Sequence, residues 1–200
     1  MRIFFPVSLN LVGRRCLVIG AADDREASEK AAALEEAGAE VRRIFKGEDV
    51  REEDVAHAFF VISTPQDEAL SQHLREWADR HRTLLCCIDQ PKYGFVAMAA
   101  IAKAGPVRIA ISTAGLAPRV GKILKNALQR VMDARFERFI AILAERRAKM
   151  RETRPLAEES ELRRKAAIDN TAGFTADVTF YYPEWFEEGQ KARVRDRGRE

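Results

Sequence analysis

The strongest constraint on this chain is a series of short apolar runs, each closed by a turn and separated from the next by a helical pattern. Residues 11–20 (LVGRRCLVIG) form a basic turn and then an apolar run ending on glycine, as expected of a strand covered on both faces. In the following ADDREASEKAAALEEAGAE, Ala27, Ala31, Leu34 and Ala37 keep helical spacing, and Gly38 supplies the stop. Residues 41–45 read as a second strand and KGED as a turn. The pattern then repeats: residues 58–62 (AFFVI) form a strand, STPQD starts a helix at about Asp67, and LSQHLREWADRH completes it. Residues 84–88 (LLCCI) are another buried strand with Asp89 at its C-terminal edge, and residues 107–112 (VRIAIS) are a further strand entering the turn TAGLAP. Strands alternating with helices imply βαβ units and a parallel sheet. Right-handed crossovers then gather the strand ends and their loops along one edge. The fold expected is α/β: a five-stranded Rossmann-like parallel sheet over residues 1–113, followed by a helical dimerisation and C-terminal extension over residues 114–200.

That extension is expected because the character changes after Pro118. Val120, Ile123, Leu124, Ala127, Leu128, Val131, Phe136, Phe139, Ile140 and Leu143 form a long apolar helical face, more than packing on such a sheet consumes. A second copy of the chain is the expected partner, making a homodimer. Farther on, Phe174, Ala176, Val178, Phe180 and Tyr182 alternate at period two, which suits either an edge strand or an arm docking elsewhere.

Composition narrows the setting. Hydrophobic residues are 46% of the chain and charged residues 32%, as in a soluble globular protein. Much of the net charge of +3 lies in Lys191, Arg193, Arg195, Arg197 and Arg199, a solvated tail and not a nucleic-acid surface. No apolar run reaches the roughly 18 residues that would suggest a membrane span, and the opening MRIFFPVSLNLVGRR lacks the pattern of a signal peptide. The three cysteines cannot all pair with one another. Cys16 sits in an apolar strand, and the adjacent Cys86 and Cys87 point to opposite faces of another, so reduced thiols and a cytoplasmic location are expected. No cysteine or histidine spacing suggests a metal site, and His57, His73 and His81 fall in polar helical stretches.

Two places could carry chemistry. Gly20 ends the first strand ahead of a helix, where backbone can approach a ligand and the helix N-terminus favours phosphate. The dinucleotide fingerprint GxGxxG is absent, however, and Asp23, Asp24 and Glu26 bring negative charge there. These acids suit a capped helix start equally well. Asp89, at the carboxyl end of a parallel strand, faces the crevice where ligands bind such sheets, although a loop or helix cap is the ordinary use of an aspartate there.

Several segments, in order, resemble the precorrin-2 dehydrogenase/sirohydrochlorin ferrochelatase family of siroheme biosynthesis. Phe5-Pro6 and then Leu11-x-Gly13-Arg14 precede the first strand. VIG is followed by Lys30 and by Leu34-Glu35-Glu36-Ala37-Gly38-Ala39. Cys86-Cys87-Ile88-Asp89 leads to Phe95, and Ile109-Ala110-Ile111-Ser112-Thr113-Ala114-Gly115 leads to Ala117-Pro118. The resemblance spans roughly residues 4–130. It implies NAD-dependent oxidation of precorrin-2 to sirohydrochlorin and, as in many members, insertion of Fe²⁺ to give siroheme.

On that resemblance Asp89 is the catalytic carboxylate. Gly20, Ala21, Ala22, Arg25, Glu26, Lys46, Gly47 and Thr64 are expected to contact NAD. Thr113, Gly115, Arg119 and Lys122 border the tetrapyrrole, with Lys92 as a further cation for its carboxylates. No acidic residue closes the second strand to bind the ribose hydroxyls, although Glu48 is close, and Lys46 suits a 2′-phosphate. The chain departs from the family pattern at several points. The glycine triplet is Gly20-Ala21-Ala22 with about two residues inserted before Lys30. Cys86 replaces an asparagine, Met98 a proline and Ala117 a serine. These departures keep a second reading open, in which a degenerate phosphate turn marks a non-catalytic relative that binds tetrapyrrole or nucleotide.

Overall fold

A computed structural model describes residues 4–153 and 160–186. The basic tail noted above lies outside the described residues. The chain divides into two compact units, residues 1–137 and 138–200.

The first unit is built on a four-stranded parallel sheet formed by β1 (Arg15–Ile19), β2 (Glu40–Ile44), β3 (Phe60–Ser63) and β4 (Leu84–Cys87), in the order β2-β1-β3-β4. Three helices connect them: α1 (Arg25–Glu36), the short α2 (Glu52–Ala56) and α3 (Glu68–His81). The alternation of side chains along the strands divides the core in two. Cys16, Val18, Phe60, Ile62 and Cys86 pack with Ala27, Ala31 and Leu34 of α1. Leu17, Ile19, Val61, Leu85 and Cys87 pack with Val55 of α2 and with Leu70, Leu74 and Ala78 of α3. The adjacent thiols Cys86 and Cys87 therefore lie on opposite faces, both buried and unpaired, as expected. Burial pushes the Cys86 thiol up to about 11, so neither a thiolate nor a disulfide is favoured there.

Helix ends follow local chemistry. Asp24 caps α1, accepting from the backbone N–H groups of Glu26 and Ala27 at 2.8 and 3.1 Å. Asp67 caps α3 through the N–H of Leu70 at 3.0 Å. Gly38, at φ +84°, turns the chain from α1 into β2 and donates its N–H to Glu35. The segment expected as a KGED turn is a 3₁₀ turn (Gly47–Asp49) that leads into α2, completing the crossover to β3.

Residues 107–112 require a correction. They do not add a fifth strand to the parallel sheet. β5 (Ala100–Ala104) and β6 (Val107–Ile111) form a separate antiparallel hairpin through the Gly105-Pro106 turn, with Gly105 at φ +51°. Ala102 and Ala104 pack with Leu128 and Met132 near and at the end of α4 (Pro118–Val131). The hairpin is tied to α1 where Glu36 accepts from Lys103 at 2.7 Å and from Arg108 at 2.8 Å. On α4, Val120, Ile123 and Val131 remain exposed, so part of the apolar face is indeed left over after packing on the hairpin.

The second unit contains most of α5 (Ala134–Thr153) and α6 (Ser160–Thr171). Arg146 donates to Asn170 at 2.7 Å, and the rings of Phe139 and Phe174 stack at 5.1 Å. The period-two stretch from Phe174 forms no strand. It runs irregularly to a short helical turn at residues 184–186, where the rings of Tyr182 and Trp185 each meet that of Phe186. Among the described residues no helix is long and apolar enough to cross a membrane, and no group of His, Cys, Asp or Glu is arranged to hold a metal ion.

Candidate functional site

Strand register determines what lies on the carboxyl edge of the sheet. Ile19 is level with Ile44 and with Ser63, and Ser63 with Cys87. The next residues, Gly20, Phe45, Thr64 and Ile88, therefore form one row beyond the strands. Backbone bonds continue into it: Gly20 donates to Ile44, Thr64 to Ile19 and Ile88 to Ser63, at 3.0, 3.0 and 2.8 Å. The strand order reverses between β1 and β3, which makes the gap between Gly20 and Thr64 the topological switch point where ligands bind sheets of this kind.

That gap is bridged by the chain's own side chains. The Thr64 hydroxyl lies within hydrogen-bonding reach of the Asp24 carboxylate and of the Ile19 carbonyl. The hydrogen bond from Thr64, reinforced by the N–H of Ala27, holds the Asp24 carboxyl below the usual aspartate range, so it is anionic at neutral pH. Arg43, from β2, donates to the Ser28 hydroxyl at 3.2 Å and to the Ala21 carbonyl at 3.3 Å, and its guanidinium lies 5.0 Å from the centre of the Phe45 ring. Beneath the bridge Gly20 is buried. A Cβ there would meet the Thr64 hydroxyl, the Ala27 methyl at 2.6 Å and the Asp24 carboxylate at 3.0 Å. The glycine is thus required by packing within the protein.

The remaining residues expected on the nucleotide side are dispersed around this turn. Ala21 and Ala22 are exposed. Arg25 pairs with Glu29 at 2.8 Å and Glu26 with Lys30 at 3.5 Å, both one helical turn along α1. Lys46 is exposed at the end of β2, 3.9 Å from Glu48, and Gly47 is held close to Leu70 of α3. The end of β2 thus presents Arg43, an exposed Phe45 and Lys46, with no carboxylate on the strand's last residues. This end suits the adenosine of a dinucleotide. The helix N-terminus that would receive the pyrophosphate carries the Asp24 carboxylate, so that part fits only when Asp24 is displaced.

Asp89 stands one residue beyond the row of strand ends. It is exposed and adopts a left-handed conformation at φ +60°, which aspartate tolerates better than most residues. Gln66, in the loop between β3 and α3, donates to its Oδ2 at 3.2 Å. Lys92, expected to be available to anionic substrate, is instead engaged with Glu68, which also accepts from the Tyr93 hydroxyl at 2.7 Å. Thr113, Gly115, Arg119 and Lys122 belong to the hairpin layer. β6 runs from the tip anchored at Glu36 towards Ile111, so the turn after it lies at the open end of the hairpin. There Ala114 and Gly115 both have positive φ, Ala117 donates its N–H to the Thr113 hydroxyl at 3.4 Å, and Arg119 and Lys122 are exposed on α4.

Sequence reasoning missed Gln66 and Arg43. Each lies within a polar stretch, and only the fold reveals that one orients Asp89 and the other braces the turn.

Several carboxylates in this unit share the behaviour of Asp24. The hydrogen bond from Lys103 lowers Glu36, that from His81 lowers Glu52, and that from Lys92 lowers Glu68. Their folded values lie below those of the unfolded chain, about 3.9 for Asp and 4.3 for Glu. The stabilisation is therefore complete above those values and is lost as pH falls through the lowered ones. Urea midpoints should be level between about pH 5 and 7 and fall below about pH 4. A midpoint that stays constant down to pH 3 would show that these contacts add nothing to stability.

Comparisons with known proteins agree with this architecture. Residues 7–100 match a family model described as putative NAD(P)-binding. A siroheme synthase of Thioalkalivibrio sulfidiphilus is 28% identical over 181 residues, covering 81% of this chain and 36% of that protein. One from Neisseria meningitidis is 26% identical over 147 residues, covering 64% and 30% respectively. The chain spans about a third of the length of the curated relatives it matches. Among solved structures, SirC, a precorrin-2 dehydrogenase, superposes with a TM-score of 0.64 over 83% of this chain and 88% of its own, at 20% identity, a likeness of fold. In sequence the chain is similar to siroheme synthases, in fold it is similar to a precorrin-2 dehydrogenase, and its residues 7–100 carry the putative NAD(P)-binding match.

Proposed function

We propose that this chain acts in siroheme biosynthesis as a precorrin-2 dehydrogenase, oxidising precorrin-2 to sirohydrochlorin with Asp89 as the base. The observation that carries this reading is Asp89 itself: an exposed carboxylate just past the carboxyl edge of the sheet, oriented by Gln66. A carboxylate so placed takes up the proton released from the tetrapyrrole as hydride leaves. The donor from Gln66 fixes one oxygen and leaves the other to face substrate. Thr113 and Gly115 supply a backbone-lined turn, while Arg119 and Lys122 supply cations for the carboxylates of the macrocycle. When bound, NAD(P) supplies the hydride acceptor, held by residues of the turn after β1 (Gly20, Ala21, Ala22, Arg25, Glu26), by Thr64, and by Lys46 and Gly47 at the end of β2. The exposed apolar face of α4 supports packing of a second copy against it, giving a homodimer. Iron, where it is inserted, enters as a substrate, and Asp89 is again the group available to accept pyrrole protons.

The second reading, a relative that binds tetrapyrrole without nucleotide-dependent turnover, is favoured by one observation, the carboxylate of Asp24 at the expected phosphate position. Both readings are tested by incubating the purified protein with precorrin-2 and either NAD⁺ or NADP⁺ while following sirohydrochlorin and reduced nucleotide. Adding Fe²⁺ to sirohydrochlorin in a parallel sample tests metallation. Turnover is expected with both nucleotides, and NADP⁺ should bind at least as tightly as NAD⁺, because Arg43 and Lys46 stand where a ribose carboxylate partner is otherwise found. Tetrapyrrole binding without turnover would establish the second reading.

A further inference from the structure

A dinucleotide seated on this sheet meets one obstacle, and it is a side chain of the protein itself. Dinucleotide sites on such folds place the pyrophosphate at the N-terminus of the first helix, where unsatisfied N–H groups and the helix dipole favour negative charge. In this chain the N–H groups of Glu26 and Ala27 already donate to Asp24 Oδ1, and the N–H of Ser28 donates to the Asp24 carbonyl. The other carboxylate oxygen reaches across the switch point to Thr64. The position that favours an anion is therefore filled by an anion of the protein, and the crevice beside it is closed by the same group. Arg43 lies close enough to stabilise that charge and, through Ala21 and Ser28, holds the turn around it.

We propose that Asp24 is a built-in competitor for the pyrophosphate, and that its negative charge sets the affinity of this chain for dinucleotides. This rests on the dinucleotide reading above and adds a determinant that belongs to this turn alone. Two consequences follow from the geometry. Dinucleotide binding requires Asp24 to leave both its cap and Thr64, so affinity is lower than the rest of the crest permits. Removing the charge while keeping a capping group should restore it. Asparagine and serine are both good N-caps, so Asp24→Asn and Asp24→Ser retain the start of α1 without the carboxylate.

The test is calorimetric titration of NAD⁺ and of NADP⁺ into the wild-type protein and both variants, with far-UV circular dichroism and thermal melting as checks on folding. Both variants are expected to bind each nucleotide at least about tenfold more tightly than wild type, a difference of about 1.4 kcal/mol. If all three proteins bind and the variants are no tighter, the competitor role of Asp24 is overturned while the nucleotide site stands. If none of the three binds either nucleotide, the proposal falls together with the nucleotide site. Binding by the variants alone supports it in its strongest form.

Discussion

Asp89→Asn is expected to lower kcat for precorrin-2 oxidation by about 10²- to 10⁴-fold, the range typical for loss of a positioned general base. The fold should be unaffected. Asp89 is exposed, and its left-handed backbone conformation is one that asparagine adopts as readily. The amide preserves size and one acceptor oxygen, so tetrapyrrole affinity should change little while proton uptake is lost. Gln66→Leu should have a smaller effect in the same direction, because it removes only the group that orients the carboxylate. The check is to measure kcat and tetrapyrrole affinity separately across pH. An Asp89→Asn protein turning over at the wild-type rate would remove Asp89 from the chemistry, whatever else binds nearby.

Asp89 could be located from sequence because a buried strand announces where it ends. LLCC is apolar throughout, and the first polar residue after such a run falls at the edge of the sheet. The same reasoning places Gly20, just beyond a run buried along nearly its whole length, and Thr64 stands in the same way after the fully buried FVIS. The hairpin escaped it because apolar content alone does not fix strand direction. In β6 burial alternates, with Val107, Ile109 and Ile111 half-buried and Arg108 and Ala110 exposed, the pattern of a sheet covered on one face only. The strand–helix rhythm before it points instead to another parallel strand. Its partner β5 is rich in alanine, which has weak strand preference, and its pairing depends on contacts with α4 that no local pattern reveals. The turn after β1 was legible only as a choice between phosphate site and helix cap. The structure shows Asp24 as the cap, and its other partner, Thr64, is 40 residues away in sequence and adjacent only once β3 lies beside β1.

Gly20→Val is expected to destabilise the first unit by roughly 3 kcal/mol, at the upper end of what overpacking a close-packed site usually costs. The backbone of Gly20 does not have positive φ, so the cost comes from lack of space. A first methyl already meets Ala27 Cβ at 2.6 Å, and a valine adds two more carbons in the same confined region. The Thr64 hydroxyl can rotate away, at the loss of its bonds to Ile19 and Asp24. Ala27 has no rotamer to change, so relief requires α1 to move off the sheet where Ala27 and Ala31 pack against Val18 and Ile62. Urea unfolding measures the loss directly. A second substitution locates it: Ala27→Gly should recover part of the loss in a Gly20→Ala background although glycine alone costs a helix about 1 kcal/mol. Recovery would show that contact between these two residues fixes the distance of α1 from β1, and with it the position at which Asp24 reaches Thr64. If Gly20→Val proves as stable as wild type, the start of α1 is free to shift, and a turn able to shift can also open for a pyrophosphate without losing its cap.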